Sequence, residues 1–203
     1  MAALFYDILG EKMLGIKAGN RLKLDCFADD YVVFDLETTG VSSAHDEVIE
    51  ISALRVRARA VTDEFSMLVN PGRPIPPAAS RINGITDDMV KDSPDFEPAL
   101  DAFISFAGDD ILVGHNIASF DMKFLWRDAR RYWGRPIEND FIDTLPLSRR
   151  WLPGVEKHTL QFLAQHYGIA TDGAHRALFD CRMNQLVYEA LRNECNISQS
   201  NRR

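Results

Sequence analysis

Two carboxylates stand close together in the stretch YVVFDLETTG, residues 31–40. The stretch begins with apolar and aromatic residues, as a buried strand does, and Asp35 and Glu37 fall where that strand ends. Since side chains alternate along a strand, the two carboxylates share one face. Neighbouring carboxylates repel each other and raise a pKa unless a cation separates them. The pair therefore indicates a site for Mg²⁺ or Mn²⁺. The alternative is an exposed Glu37 and an Asp35 that only begins a turn.

A third carboxylate, Asp180, falls on the apolar stripe of the last helix that the sequence predicts. The residues of this stripe are Met183, Leu186, Val187, Ala190 and Leu191. Desolvating a charge is costly, so an unpaired carboxylate is rarely buried, and no Arg or Lys shares the stripe. A metal ligand is therefore preferred over a buried ion pair or an interior cap. His175 lies five residues earlier, in the loop predicted before this helix.

A fourth carboxylate, Asp121, lies in the stretch GHNIASFDMKFL, residues 114–125. It falls in the first turn of a predicted helix with Ser119 as N-cap. A carboxylate is favoured there by the helix dipole, so ordinary capping is one explanation. Asp121 also borders the apolar stripe of that helix, which would let its side chain look inward beneath the sheet.

The elements that must position these groups alternate between strand and helix patterns. Three strand candidates with short links, typical of antiparallel neighbours, are residues 31–36, 48–56 and 64–70. A short strand is predicted at 111–114, and helices are predicted from Asp95 onward and at 119–133, 159–167 and 176–194. The proline-rich residues 70–80 are predicted to be a surface connection. This order indicates an α/β domain with a mixed sheet.

Composition restricts the class of protein. A chain of 203 residues with 46% hydrophobic content and three cysteines outside any CxxC pair fits one reduced, cytoplasmic globular domain. No stretch is apolar enough to cross a bilayer. The net charge of −7 argues against a broad electrostatic hold on nucleic acid; a cation-binding cluster or ordinary solubility accounts for it. We predict an appended N-terminal segment at 1–29, the main domain at 30–195 and a short tail at 196–203.

Three motifs in this order resemble a known family. FDLETTG, GHNIASFD and HRALFD are similar to the three motifs of the DnaQ-like, DEDDh-type 3′–5′ exonucleases, which include the epsilon subunit of DNA polymerase III and the PolC-type exonuclease domain. RINGITDDMV followed by PDF also resembles the segment between the first two motifs. The resemblance covers residues 30–194. It implies a ribonuclease-H-like α/β fold, with a mixed β-sheet flanked by helices and the acidic groups at one edge.

The resemblance assigns a role to each matched residue. It implies two divalent metal ions, Mg²⁺ or Mn²⁺, with His175 as the general base. The metal ligands that the resemblance implies are Asp35, Glu37, Asp121 and Asp180. An imidazole, with an unperturbed pKa of about 6.5, suits proton removal near neutral pH. The reaction implied is hydrolysis at a 3′ end that releases nucleoside 5′-monophosphates.

The resemblance also implies substrate contacts. Thr38 and the nearby backbone would hold the terminal nucleotide, while Ile82, Asn83 and Phe120 would line or wedge its base. Core packing is the alternative for Ile82 and Phe120. Asn83 stands where the epsilon subunit has a histidine, and Ala78 where it has a glutamate, so this chain departs from the epsilon pattern at the terminal site.

Three functions follow from the resemblance. The favoured one is a 3′–5′ exonuclease on single-stranded DNA, in proofreading or repair, whose partner is a nucleic acid with a free 3′ end. The alternatives are RNA trimming, as by ribonuclease T or oligoribonuclease, and a catalytically silent nucleic-acid-binding module. The DLETTG form favours DNA, and the complete set of five reactive groups argues against a silent module. Because few residues follow the last helix, any association with a polymerase is expected to be transient.

Overall fold

The computed structural model describes residues 16–18, 21–172 and 175–200, which form one mixed sheet with helices on both faces. The strands are β1 (Ile16–Ala18), β2 (Arg21–Leu24), β3 (Tyr31–Thr38), β4 (Val48–Arg57), β5 (Ala60–Leu68), β6 (Leu112–Gly114) and β7 (Phe141–Asp143). The helices are α1 (Pro77–Asn83), α2 (Asp87–Val90), α3 (Phe96–Ala107), α4 (Asp121–Trp133), α5 (Thr144–Trp151), α6 (Leu160–His166) and α7 (Ala177–Ser200).

The sheet has the strand order β1-β2-β7-β6-β3-β4-β5. Strands β3, β4 and β5 form an antiparallel meander, as their short links predict. Strands β2, β7, β6 and β3 run parallel to one another, and β1 pairs antiparallel with β2. The carboxyl ends of β3, β6 and β7 therefore meet at one edge of the sheet, where ligands commonly bind in open α/β sheets.

Side chains alternate along β3, so its residues belong to two hydrophobic cores, one on each face of the sheet. Val32, Phe34 and Leu36 pack with α3 and α4 on one face. Tyr31 and Val33 pack with α5, α6 and α7 on the other. Burial of one such side chain contributes roughly 1.5–3 kcal/mol, so a one-residue slip of β3 would exchange the two faces and is strongly disfavoured. Asp35 and Glu37 thus lie on the α7 face, as the alternation predicts.

Several boundaries differ from the sequence prediction. Helix α4 begins at Asp121 and has no side-chain cap, because Phe120 and not Ser119 occupies the N-cap position; Ser119 lies in the preceding turn, where its backbone N–H bonds to Asn116 O. Residues 77–80, predicted to be part of a surface connection, belong to α1; proline is accepted in a first helical turn. Leu186 is 49% exposed, because the stripe of α7 that faces the sheet is narrower than predicted.

The elements absent from the prediction are short. Strand β7 has three residues, all buried, and a strand covered on both faces shows no polar alternation. Strands β1 and β2, in the segment predicted as an N-terminal addition, extend the sheet because β2 pairs with β7. Residues 1–15 and 19–20 of that segment lie outside the described residues, and its boundary stays a prediction. Within the described ranges, no helix combines the length and apolar character needed to cross a membrane.

Candidate active site

Three of the predicted ligands meet at the carboxyl end of β3. Asp35 and Glu37 come from β3, and Asp180 comes from the first turn of α7. One carboxylate oxygen from each lies within 4.8 Å of the others. A bulge interrupts the pairing with β4 between Glu37 and Thr38, and bulges commonly redirect side chains beside functional sites. Residues far apart in the chain thus form one acidic cluster.

Asp121 reaches the cluster from the opposite face of the sheet. It is 3% exposed, at the start of α4. Its Oδ1 accepts a hydrogen bond of 3.2 Å from the backbone N–H of Leu36, the residue between Asp35 and Glu37. The carboxylate therefore looks inward, and the helix-capping explanation is insufficient for a side chain held against β3.

The pKa values in the metal-free protein show how strongly this arrangement disfavours charge. Desolvation is the largest cause at each group. It raises the pKa of Asp35 together with the charges of Asp121 and Asp180. It raises the pKa of Glu37 to about 8, assisted by Asp180 and Glu50. Burial also raises the pKa of Asp121 to about 7 and the pKa of Asp180 above its usual value. A bound cation would remove this penalty.

One oxygen of Asp180 fits a metal ligand in particular. Its Oδ2 accepts a 3.2 Å hydrogen bond from the backbone N–H of His175. Its Oδ1 is buried and has no hydrogen-bond partner among the described residues. Buried carboxylate oxygens are normally paired or bound to a cation. With one oxygen each of Asp35 and Glu37 within 4.8 Å, this donor set suits a hard divalent ion such as Mg²⁺ or Mn²⁺.

His175 is exposed and stands immediately before α7. Its φ of 71° is uncommon for a residue other than glycine, and its bond to Asp180 helps to hold this conformation. Its ring Nε2 lies 3.0 Å from the side-chain Nε2 of Gln161 on α6. The ring is thus oriented by a neighbouring helix while it stays open to solvent, as a residue that exchanges protons requires.

Two residues of the site, Glu50 and Arg176, are absent from the sequence prediction. Glu50 pairs with Glu37 across β3 and β4 and is 2% exposed. It accepts hydrogen bonds of 3.2 and 2.8 Å from Arg176 and of 3.1 Å from the backbone N–H of Ala177. This bidentate pair fixes the start of α7 against the sheet and neutralises a fifth carboxylate. The available signal is an acidic residue inside the apolar strand VIEIS, the same signal that singles out Asp35.

The predicted substrate contacts lie around the cluster. Thr38 is buried, and its hydroxyl donates a 2.6 Å hydrogen bond to Gly40 O. Ile82 is 63% exposed, which excludes core packing as its role. Phe120 is half-buried and packs on Phe124 with ring centroids 5.2 Å apart. Contact of these residues with a nucleotide stays a prediction.

Asn83, the other predicted substrate contact, is buried and faces the acidic cluster. Its side chain donates a hydrogen bond to Glu37, which lowers the pKa of that carboxylate. Its Oδ1 accepts a 3.0 Å bond from the backbone N–H of Ile85. Both the nitrogen and the oxygen of the Asn83 amide therefore form hydrogen bonds within the protein. The structural role of Asn83 is to support Glu37.

The raised pKa values predict that the metal-free protein loses stability as the pH rises. A carboxyl group whose pKa is higher folded than unfolded binds its proton more tightly in the folded state, so its contribution is lost on deprotonation. For Glu37 the window runs from its ordinary value of 4.5 to about 8. Urea unfolding in EDTA should show roughly 1–3 kcal/mol less stability at pH 8 than at pH 5.

The variant Glu37→Gln should reduce this loss, because it removes one of the groups that must ionise. Asp101→Asn, at an exposed position on α3, is the matched control and should keep the wild-type pH dependence. Added Mg²⁺ should restore stability at pH 8. A pH dependence in Glu37→Gln equal to that of the wild type would contradict the coupling between these carboxylates.

The mixed sheet, its two helical layers and the site at its edge define an α/β domain of the ribonuclease-H-like class. A family model described as Exonuclease matches residues 32–188. The chain belongs to this exonuclease family, and the resemblance drawn from its three motifs is confirmed.

Two similar relatives are named as DNA polymerase III proteins. The DNA polymerase III subunit epsilon of Aquifex aeolicus (strain VF5) is 38% identical over 158 residues, 78% of each chain. The PolC-type DNA polymerase III of Oceanobacillus iheyensis is 39% identical over 163 residues, which make up 80% of this chain and only 11% of that protein. The chain therefore spans most of one relative and about a ninth of the other.

Solved structures agree with this assignment. Exonuclease X in complex with 5′ overhanging duplex DNA superposes with a TM-score of 0.66 and 30% identity, over 80% of this chain and 91% of that one. E. coli exonuclease I in complex with a dT13 oligonucleotide has a TM-score of 0.76 and 18% identity, over 86% and 43% of the two chains. The second likeness concerns the fold alone.

Proposed function

We propose that this protein is a metal-dependent 3′–5′ exonuclease that acts on single-stranded DNA and releases nucleoside 5′-monophosphates. The observation that carries the proposal is the convergence of Asp35, Glu37 and Asp180, whose carboxylate oxygens lie within 4.8 Å of one another. Asp121 lies beside them through its bond to Leu36. Burying several carboxylates together is costly while they are charged, and a bound cation removes that cost without protonating them.

The proposed chemistry divides between the cluster and the histidine. Asp35, Glu37, Asp121 and Asp180 would hold two divalent ions. When bound, such ions lower the pKa of water and stabilise charge on the leaving 3′-oxygen. His175 removes the proton of the attacking water and passes it to solvent, to which its ring is open. Gln161 orients that ring, and the Glu50–Arg176 pair holds the backbone that carries it.

DNA is proposed as the substrate because of the relatives. The epsilon subunit and the PolC-type enzyme are both named as DNA polymerase III, and the exonuclease X structure contains DNA. The epsilon name also supports a transient association with a polymerase, and proofreading or repair as the setting. RNA trimming and a silent binding module are the alternatives, and the experiment that follows separates them.

A site that holds a terminal nucleotide should require a free 3′ end. We expect a linear single-stranded oligonucleotide labelled at its 5′ end to give a descending ladder in Mg²⁺, with one nucleoside 5′-monophosphate released in each cycle. A circular single strand should stay intact, and a 3′-phosphorylated oligonucleotide should be degraded slowly. Mismatched or frayed duplex ends should be cut faster than paired ones, because seating the terminal base requires unpairing.

Gel electrophoresis of these substrates and of an RNA oligonucleotide of matched sequence provides the measurement. Cleavage of the circle at a rate comparable with the linear strand would indicate an endonuclease and overturn the proposed polarity. Faster degradation of the RNA than of the DNA would favour the trimming alternative. Binding of the oligonucleotide without any hydrolysis would favour the silent module.

A further inference from the structure

A cavity lies near the ends of β6 and β7, at the edge of the sheet that carries the acidic cluster at the end of β3. Its volume is about 480 Å³, and it is open to solvent between α5, the loop before α6 and the loop after β6. Arg149 and Lys157 contribute positive charges to its wall and Glu156 a negative one, while His158 and Asn116 add neutral polar groups. Among the residues that the structure describes, no Phe, Tyr or Trp lines it, and the flat groups in its wall are the imidazoles of His115 and His158 and the guanidinium of Arg149.

The charges of this cavity are available to a ligand. Arg149 makes no ion pair or hydrogen bond within the part of the chain that the structure describes. The next residue, Arg150, pairs instead with Asp25. Lys157 lies 3.6 Å from the carboxylate of Glu156, and both side chains are largely exposed. Such a surface pair is weak and can be displaced by a stronger anion.

The histidine in the wall is held in a defined orientation. Ser148 donates its hydroxyl proton to Leu145 O at 2.8 Å. Nδ1 of His158 lies 3.0 Å from the same hydroxyl oxygen and must therefore be the donor in that contact. The His158 ring is thus fixed to α5, the helix that also carries Arg149.

The position of the cavity relates it to the cluster. The cluster lies at the end of β3, and the cavity adjoins the ends of β6 and β7, the next two strands. Two strand spacings amount to roughly 10 Å. Thr144, after β7, also donates a 2.9 Å hydrogen bond to Asn184, which lies one turn beyond Asp180 on α7. The cavity wall and the cluster therefore belong to one rigid unit.

We propose that this cavity is a subsite for the phosphodiester backbone of the single strand whose 3′ end occupies the acidic cluster. The inference rests on the proposed function in taking a nucleic-acid strand as the ligand. Arg149 and Lys157 in the wall attract phosphate, and contacts to the phosphate backbone carry no base-sequence information. The cavity also gives the net-negative chain a local place at which to hold a polyanion.

The test compares Arg149→Ala with Arg150→Ala, a matched control on the same helix whose side chain pairs with Asp25. Binding of fluorescent oligothymidylates of two and twelve nucleotides is measured by anisotropy with the full chain in EDTA. Arg149→Ala should weaken binding of the twelve-nucleotide strand about 3- to 10-fold more than binding of the dinucleotide. The slope of log Kd against log salt should fall by about 0.7, the value for one phosphate on a single strand.

A second variant keeps the test independent of folding. Glu156→Gln should tighten binding of the twelve-nucleotide strand about 2- to 3-fold, because it frees Lys157. The subsite would be overturned if Arg149→Ala and Arg150→Ala lowered the affinity equally. It would also be overturned if Arg149→Ala lowered the affinity for the two-nucleotide and twelve-nucleotide strands equally. Hydrolysis by the wild type together with such equal losses would overturn the subsite alone. If binding shows the predicted dependence on strand length but the protein hydrolyses no 3′ end, the proposed exonuclease activity is overturned and the subsite proposal stands.

Discussion

Removal of divalent metal ions is expected to abolish hydrolysis, and Asp180→Asn is expected to lower kcat/KM by at least about 10³-fold. The structure gives the reason: Asp180 Oδ1 is buried without a partner, beside the oxygens of Asp35 and Glu37. Ions in such sites supply several kcal/mol of transition-state stabilisation, and each 1.36 kcal/mol is a factor of ten in rate. The amide in the variant takes one negative charge from the ligand set.

The measurement is the rate of release of the 3′-terminal nucleotide in excess EDTA and after addition of Mg²⁺ or Mn²⁺. Either ion should restore the wild-type enzyme, and isothermal titration calorimetry should show weaker metal binding by Asp180→Asn. Asp101→Asn, an acid-to-amide change at an exposed position, should retain wild-type kinetics. Full turnover in excess EDTA would remove the metal-dependent mechanism.

His175→Ala is expected to lower kcat by about 10²–10⁴-fold, the usual contribution of a positioned general base, while metal binding stays intact. The imidazole is open to solvent, 3.0 Å from the side chain of Gln161. The hydrogen bond from His175 to Asp180 comes from the backbone N–H. Removing the ring therefore leaves the ligand set in place, since the backbone donor remains in alanine.

Calorimetric metal titration and single-turnover kinetics separate the two roles. A base variant should bind metal and single-stranded DNA as the wild type does and lose only the chemical step. It should also lose the decline in rate that protonation of a base produces on acidification. His166→Ala, an exposed histidine at the end of α6, is the matched control. A rate and pH profile unchanged in His175→Ala would assign the proton transfer elsewhere.

Much of this site can be read from local patterns in the chain. The alternation of β3 places Asp35 and Glu37 on one face because a strand has a two-residue period, and the structure confirms the two cores that follow from it. The helical period likewise places Asp180 on the face of α7 that packs against the sheet. Three motifs in order then identify the family, since five matched positions rarely coincide by chance.

Other features depend on contacts between distant parts of the chain. The pairing of Glu50 with Arg176 joins residues 126 positions apart, and neither residue has a local pattern that names its partner. Asn83 supports Glu37 only because α1 ends beside β3. The hydrophobic periodicity of a segment predicts which face of a strand or helix a residue occupies. It does not predict which other element packs on that face, so sequence alone does not identify these contacts.

The arrangement of the sheet edge also depends on contacts between distant parts of the chain. The sequence by itself determined the reactive residues, the alternation that buries β3 and the family, because each depends on residue type and short-range spacing. Tertiary structure alone decided that Asp121 turns inward onto Leu36, that β7 joins β6 and β2, and that a cavity with two cationic side chains lies near the ends of β6 and β7. Strand order and helix packing bring these groups together, and both follow from the free energy of the whole core, which no single segment contains.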